Sequence, residues 1–167
     1  MNKLPVWILT SGALFAQAGD ATNGKIIFEG KGACLSCHRV MATGSRSGPE
    51  LTGIGGLRRA TPEYLERALI DPDADVAKEN RGVRLTLKKG GGVVTGRLIS
   101  QDLFTLQLVD RQGSLKSFSK SELGKTTYIT KGLMPSYKGR LSAQEIADVV
   151  SYLRSLKAFG SYVYRKP

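Results

Sequence analysis

One short segment of this chain has the residue types and the spacing to do chemistry: Cys34, Cys37 and His38, in the order Cys-Leu-Ser-Cys-His. Positions i, i+3 and i+4 share one face of a helix, so two thiols and an imidazole would point the same way. Thiols so placed can add to the two vinyl groups of a haem, and the imidazole beside them can reach the iron. The spacing is the attachment signature of c-type haem. We predict one covalent haem c, bound through Cys34 and Cys37, with His38 as an axial iron ligand.

Other interpretations of the two cysteines are weaker. A thioredoxin-like redox pair is typical of a βαβ setting, and no such pattern precedes Cys34. A zinc site made of Cys and His needs four ligands, whereas the whole chain has two cysteines and one histidine. A disulfide or structural pair is the remaining alternative.

The second axial position of the iron is open to several groups. Because the chain has one histidine, the sixth ligand must be a methionine, another side chain, water or nothing. Met41 follows His38 so closely that it is tethered to the histidine's side of the iron. Met134 precedes Pro135, which disfavours helix for its predecessor and keeps Met134 in extended chain. We predict Met134 as the sixth ligand; a methionine that only fills the core is the alternative.

The N-terminus predicts export. Lys3 precedes an apolar run from Leu4 to Ala16, and Ala16-Gln-Ala18 has the small-x-small pattern of a cleavage site. We assign residues 1–18 to a signal peptide and expect a periplasmic or otherwise exported chain with no transmembrane segment once mature. An uncleaved anchor or a buried N-terminal helix is the alternative.

The segments that must position the motif have the sequence pattern of short helices joined by glycine-rich loops. Asp20 to Lys31 predicts a first helix. Thr61-Pro62-Glu63 predicts the start of a second, with a capping residue, a proline at the first helical position and an acid in the first turn. Ser142-Ala-Gln-Glu145 is a capping box that opens a third. We therefore expect a discontinuous helical domain over residues 19–80 and 132–158.

Residues 81–131 change to an alternating pattern. Val83, Leu85 and Leu87 alternate with polar residues, and glycine-rich or polar turns separate further runs of this kind. The pattern predicts about five short antiparallel strands in a small barrel-like insert. The fold class expected for the chain is a mainly α domain with a small antiparallel β-barrel-like insert, α+β overall. Residues 159–167 form an aromatic, basic tail with no predicted role.

In two blocks, residues 20–80 and 132–157, the chain resembles a class I c-type cytochrome with one haem. The Cys-x-x-Cys-His motif and the Met-Pro loop before a capped last helix carry the resemblance. It implies a cytochrome c-like fold in which Gly24 and Phe28 on the first helix pack against Tyr152 on the last.

The resemblance also implies a partner for His38. The family places a proline carbonyl to accept the Nδ1–H of the axial histidine, and Gly48-Pro49 matches that position. Such a bond fixes the tautomer and the ring orientation of the histidine. The spacing from His38 to Met134 departs from the family because of the insert. The arrangement is similar to haem-binding domains with a β-rich insert found in planctomycete and acidobacterial-type proteins.

The charge of the chain is concentrated on the insert. The whole sequence has a formal net charge of +11, and residues 81–131 hold ten Lys or Arg against three Asp or Glu, a net +7. We expect an acidic redox protein or a dehydrogenase as partner, docking on this basic insert. Val83 to Gly90 looks like the first motif of Sm-like RNA-binding barrels. The second motif of such barrels is not evident, so nucleic acid is not expected.

These patterns predict a periplasmic mono-haem cytochrome that transfers single electrons through a His/Met-ligated haem and is not itself an enzyme. A peroxidase-like haem enzyme or gas sensor is one alternative. It would need an open or labile sixth site with distal acid-base groups, and the single histidine is already assigned to the iron. The electron-accepting subunit of a periplasmic dehydrogenase is another alternative, with the same chemistry in this chain.

Overall fold

The structure is a computed structural model and describes residues 18–77 and 80–157. The predicted signal peptide, apart from residue 18, and the tail of residues 159–167 lie outside the described residues. Within the described part of the chain, no helix combines the length and the apolar character that crossing a membrane requires.

In the described residues the regular structure consists of three α-helices and seven strands, together with short 3-10 turns. The helices are α1 (Ala21–Glu29), α2 (Pro62–Ile70) and α3 (Ala143–Ser155). The strands are β1 (Arg39–Val40), β2 (Thr43–Gly44), β3 (Gly82–Leu87), β4 (Val93–Gln101), β5 (Thr105–Asp110), β6 (Leu115–Ser119) and β7 (Leu123–Ile129).

The prediction of a mainly α fold is wrong. The described residues contain about equal amounts of helix and strand, in three helices, a two-stranded sheet and a five-stranded sheet, so the fold is α+β. The helical part contains little helix because α1 and α2 have nine residues each. Between them the chain runs through glycine-rich loops that only short 3-10 turns and the small β1–β2 sheet interrupt.

Each helix begins at a side-chain cap. Asp20 accepts hydrogen bonds from the backbone N–H groups of Thr22 and Asn23. Thr61 accepts one from Tyr64 at 3.2 Å. The predicted capping box of α3 is confirmed by reciprocal bonds between Ser142 and Glu145. These bonds satisfy donors that a helix N-terminus otherwise leaves free, which explains where the short helices start.

Helices α1 and α3 cross at Gly24. A methyl group on Gly24 would lie 2.0 Å from the carbonyl oxygen of Asp148 and 2.9 Å from Cβ of Tyr152, so only glycine allows this approach. One turn further on, the rings of Phe28 and Tyr152 meet edge to face with centroids 5.3 Å apart. The two ends of the described chain are therefore held together through this crossing.

The five-stranded sheet has the order β6-β5-β4-β3-β7, with every neighbouring pair antiparallel. Its hydrogen bonds leave β6 and β7 as edges, so the sheet is not a closed barrel. Leu106 and Leu108 of β5 nevertheless share a buried core with Val83 and Leu85 of β3 and Leu123 of β7. Side chains from three strands of the sheet therefore form a core of their own, distinct from the core of the helical part.

Candidate haem-binding site

The cysteine segment is a tight turn rather than an α-helix. A single 3-10 turn spans Cys34–Ser36, and the N–H groups of Cys37 and His38 both donate to the carbonyl of Cys34. Both cysteines nevertheless line the same cavity. Cys34 is buried and Cys37 is exposed, and both are free thiols.

The imidazole of His38 is oriented by the backbone of a facing loop. Its Nδ1 lies 2.9 Å from the carbonyl oxygen of Pro49. A carbonyl can only accept, so Nδ1 carries the proton and Nε2 keeps its lone pair. Burial lowers the pKa of His38, the bond to Pro49 works in the opposite direction, and the charge of Arg97 adds a further lowering. The result is a neutral imidazole, which is the form that binds a metal.

Gly48 lets that loop approach the ring. Its N–H donates to the carbonyl of Cys37 at 2.7 Å. A methyl group on Gly48 would come within 3.1 Å of Cε1 and Nδ1 of His38. Any larger residue would therefore have to displace the ring or the loop.

Tyr137 connects the methionine loop to the cysteine turn, and our reading of the sequence did not single it out. Its hydroxyl donates to the carbonyl of Gly32 at 2.6 Å and lies 3.9 Å from Sγ of Cys34. Burial, and then the neighbouring Cys34, raise the pKa of Tyr137 to about 12. Burial also raises the pKa of Cys34, so both groups stay protonated at neutral pH. The aromatic residue soon after Pro135 was the only sequence signal for this role.

One cavity brings the predicted site residues together. It has a volume of about 350 Å³, within the range of small-molecule sites. Its walls include all six side chains or backbone segments predicted from the sequence: Cys34, Cys37, His38, Gly48, Pro49 and Met134. Met41, by contrast, is 60% exposed in the turn between β1 and β2 and is not part of the wall.

The rest of the wall is mostly apolar, with charged residues of both signs. Phe28, Leu65 and Leu69 come from α1 and α2, and the lining also includes Arg59 and Arg140 and acids such as Glu50 and Asp71. An apolar cavity with two free thiols, a neutral imidazole and a thioether fits a haem. The arginines suit the acidic groups at the edge of such a ring. Cys34 and Cys37 would hold the ring, and His38 and Met134 the iron.

In residues 18–77 and 80–157, no group of three or more His, Cys, Asp and Glu side chains is arranged to hold a bare metal ion.

Comparison with models of known protein families gives no match, and comparison with curated protein sequences gives none either.

Proposed function

We propose that this chain is an exported mono-haem c-type cytochrome that passes single electrons between redox partners. The observation that carries the proposal is the shared cavity of Cys34, Cys37, His38 and Met134, in which Pro49 holds His38 in its metal-binding tautomer. When bound, the haem supplies a one-electron iron couple. The proposal needs no acid-base catalyst in this chain.

The chain's own residues would set the properties of that couple. Cys34 and Cys37 would anchor the cofactor through thioether bonds to its two vinyl groups. His38 is preoriented by Pro49, so little rearrangement accompanies ligation. The thioether of Met134 would be the second iron ligand and would raise the reduction potential.

The partner would be an acidic redox protein that docks on the sheet. Lys88, Lys89 and Lys125 are exposed there. The turn between β4 and β5 exposes Leu103 and Phe104, and the carbonyl of Phe104 accepts a hydrogen bond from the N–H of Lys120 at 2.7 Å. A basic surface with a few exposed apolar side chains suits brief, salt-sensitive encounters. Electron transfer to such a partner would slow as salt is added.

Covalent attachment is the first test. The protein is matured in a periplasm with a haem-attachment system, and the wild type, Cys34→Ala, Cys37→Ala and the double variant are weighed by mass spectrometry. We expect one haem on the wild type and none on the double variant. Each single variant should keep one thioether at most, which shifts the absorption of the reduced haem. A wild type without covalent haem would overturn the proposed function.

A further inference from the structure

Arg97 links the five-stranded sheet to the loop that orients His38. Arg97 lies on β4, yet its Nε donates to the carbonyl of Ser47 at 3.3 Å and its Nη2 to the carbonyl of Arg46 at 3.1 Å. These two carbonyls directly precede Gly48-Pro49. One guanidinium therefore holds the backbone just before Gly48-Pro49, where the carbonyl of Pro49 accepts the hydrogen bond from His38.

The loop is in turn bound to the cysteine segment. The N–H of Ser45 donates to the carbonyl of Leu35 at 2.9 Å, and the N–H of Gly48 donates to the carbonyl of Cys37. The loop is thus fixed on one side by the backbone of the cysteine turn and on the other by Arg97. Movement of either side would be transmitted to the ring of His38.

Two further contacts bring the sheet against the site. In the turn between β5 and β6, a methyl group on Gly113 would lie 2.9 Å from Oγ of Ser45, so this turn packs on the same loop. At the start of β3, a methyl group on Gly82 would lie 3.1 Å from Cδ2 of Leu133, the residue before Met134. The sheet therefore touches the chain beside both proposed iron ligands.

We propose that Arg97 is a positioning residue for the proximal side of the haem, which makes the sheet a structural part of the redox centre. This inference rests on the proposed function. By holding the carbonyls of Arg46 and Ser47, Arg97 keeps Pro49 in place as the acceptor for His38. Its fixed positive charge on the histidine's side also disfavours the ferric state relative to the ferrous state, which raises the reduction potential.

The test uses matured holoprotein with three substitutions. Arg97→Gln removes the charge and the fork of donors, whereas Arg97→Lys keeps the charge and loses the fork. The control, Arg84→Gln, removes the same charge from an exposed position on β3 of the same sheet. Three readouts are taken on each: covalent haem by mass, the midpoint potential, and hydrogen exchange of the amides of Ser45 and Gly48.

We expect Arg97→Gln to lower the potential and to speed exchange of the two amides about fivefold, the effect of losing one net hydrogen bond. Arg97→Lys should have a potential closer to that of the wild type, while its two amides still exchange faster than in the wild type. Arg84→Gln should match the wild type in potential and in exchange. Equal falls in potential for Arg97→Gln and Arg84→Gln would mean a general charge effect and would overturn the inference.

Unchanged potential and exchange in both Arg97 variants would also overturn it, while leaving the proposed function intact. If Arg97→Gln gives no folded protein, the test rests on hydrogen exchange of the Ser45 and Gly48 amides in Arg97→Lys. Exchange at the wild-type rate in that variant would overturn the inference. A wild type without covalent haem overturns the proposed function and this inference with it. Covalent haem together with unchanged potential and exchange in the Arg97 variants overturns the inference alone, so the two failures are distinguishable.

Discussion

The hydroxyl of Tyr137 donates a hydrogen bond of 2.6 Å to the carbonyl oxygen of Gly32 across a separation of 105 residues. The bond ties the loop that contains Met134 to the chain just before Cys34. The guanidinium of Arg140 lies 5.0 Å from the centre of the tyrosine ring. The two walls of the cavity are thus linked by a buried polar contact between backbone and side chain.

Tyr137→Phe should lower the free energy of unfolding by about 1–2 kcal/mol, because the carbonyl of Gly32 loses its donor in a buried site. Urea denaturation would measure the change. Tyr128→Phe is the matched control, since the hydroxyl of Tyr128 bonds Gln101 in an exposed position. It should change stability by less than about 0.5 kcal/mol. Equal effects of the two substitutions would show that the buried Tyr137 bond contributes no more to stability than the exposed Tyr128 bond.

Gly24→Ala should destabilise the protein by about 2–3 kcal/mol, although alanine is the better helix former. The added methyl group would lie 2.0 Å from the carbonyl oxygen of Asp148, so α1 and α3 must separate. Gly56→Ala is the control, since nothing lies within 4 Å of a methyl group there. The stability of both variants is measured by thermal unfolding. A Gly24→Ala protein as stable as Gly56→Ala would contradict the close approach of α1 and α3.

Asp148 should make the fold sensitive to acid. Its carboxylate is buried, which alone would raise its pKa. Hydrogen bonds from the N–H of Asp20 and the side chains of Asn23 and Gln144 outweigh this and bring the pKa below its ordinary 3.8. A carboxyl whose folded pKa is depressed stabilises the fold above the unfolded pKa. That stabilisation is lost as pH falls through the folded pKa.

Asp148→Asn should therefore be less stable than the wild type at neutral pH, and the gap should narrow below about pH 4. Urea denaturation across this pH range measures it. The control is Asp75→Asn, at an exposed position, whose stability should run parallel to that of the wild type. A gap between wild type and Asp148→Asn that stays constant with pH would show that the carboxylate charge plays no part.

Met134→Ala should open the iron of the matured protein. The reduced wild type should bind no CO, whereas the variant should bind about one CO per haem and have a lower midpoint potential, because it loses the thioether ligand. Absorption spectra with and without CO measure the first effect, and a redox titration the second. Met41→Ala should behave like the wild type, since Met41 lies outside the cavity. A Met134→Ala protein that also excludes CO would leave Met134 as packing only.

Local signals in the sequence predicted local structure well. Thr61 and Ser142 cap helices as expected, because a cap depends on a few neighbouring residues. The bond between His38 and Pro49, which the resemblance implied, is present in the structure. The amount of helix was overestimated because glycine-rich loops carry no periodicity from which their length could be read.

Long-range contacts could not be predicted from the sequence. Arg97 stands on an alternating strand, where a charged residue reads as part of a solvated face, yet it reaches a loop 50 residues away. In the sequence, nothing distinguishes Tyr137 from the other aromatic residues, because its contact with Gly32 exists only in the folded chain. Both depend on how the sheet and the helical part meet, which no short pattern encodes.

The pairing of Gly82 with Ile129 across β3 and β7 has a consequence for how the chain folds. The first and last residues of the sheet are neighbours. The folded sheet therefore connects the two halves of the helical part as a short linker would. Closing a flexible loop costs conformational entropy that grows with the logarithm of its length, by about 0.6 kcal/mol per doubling. A sheet that forms early shortens the effective loop and removes part of this cost before α3 meets α1. Insertions at the tips of its hairpins would leave this linker unchanged, so the sheet can vary in size while the helical part keeps its geometry.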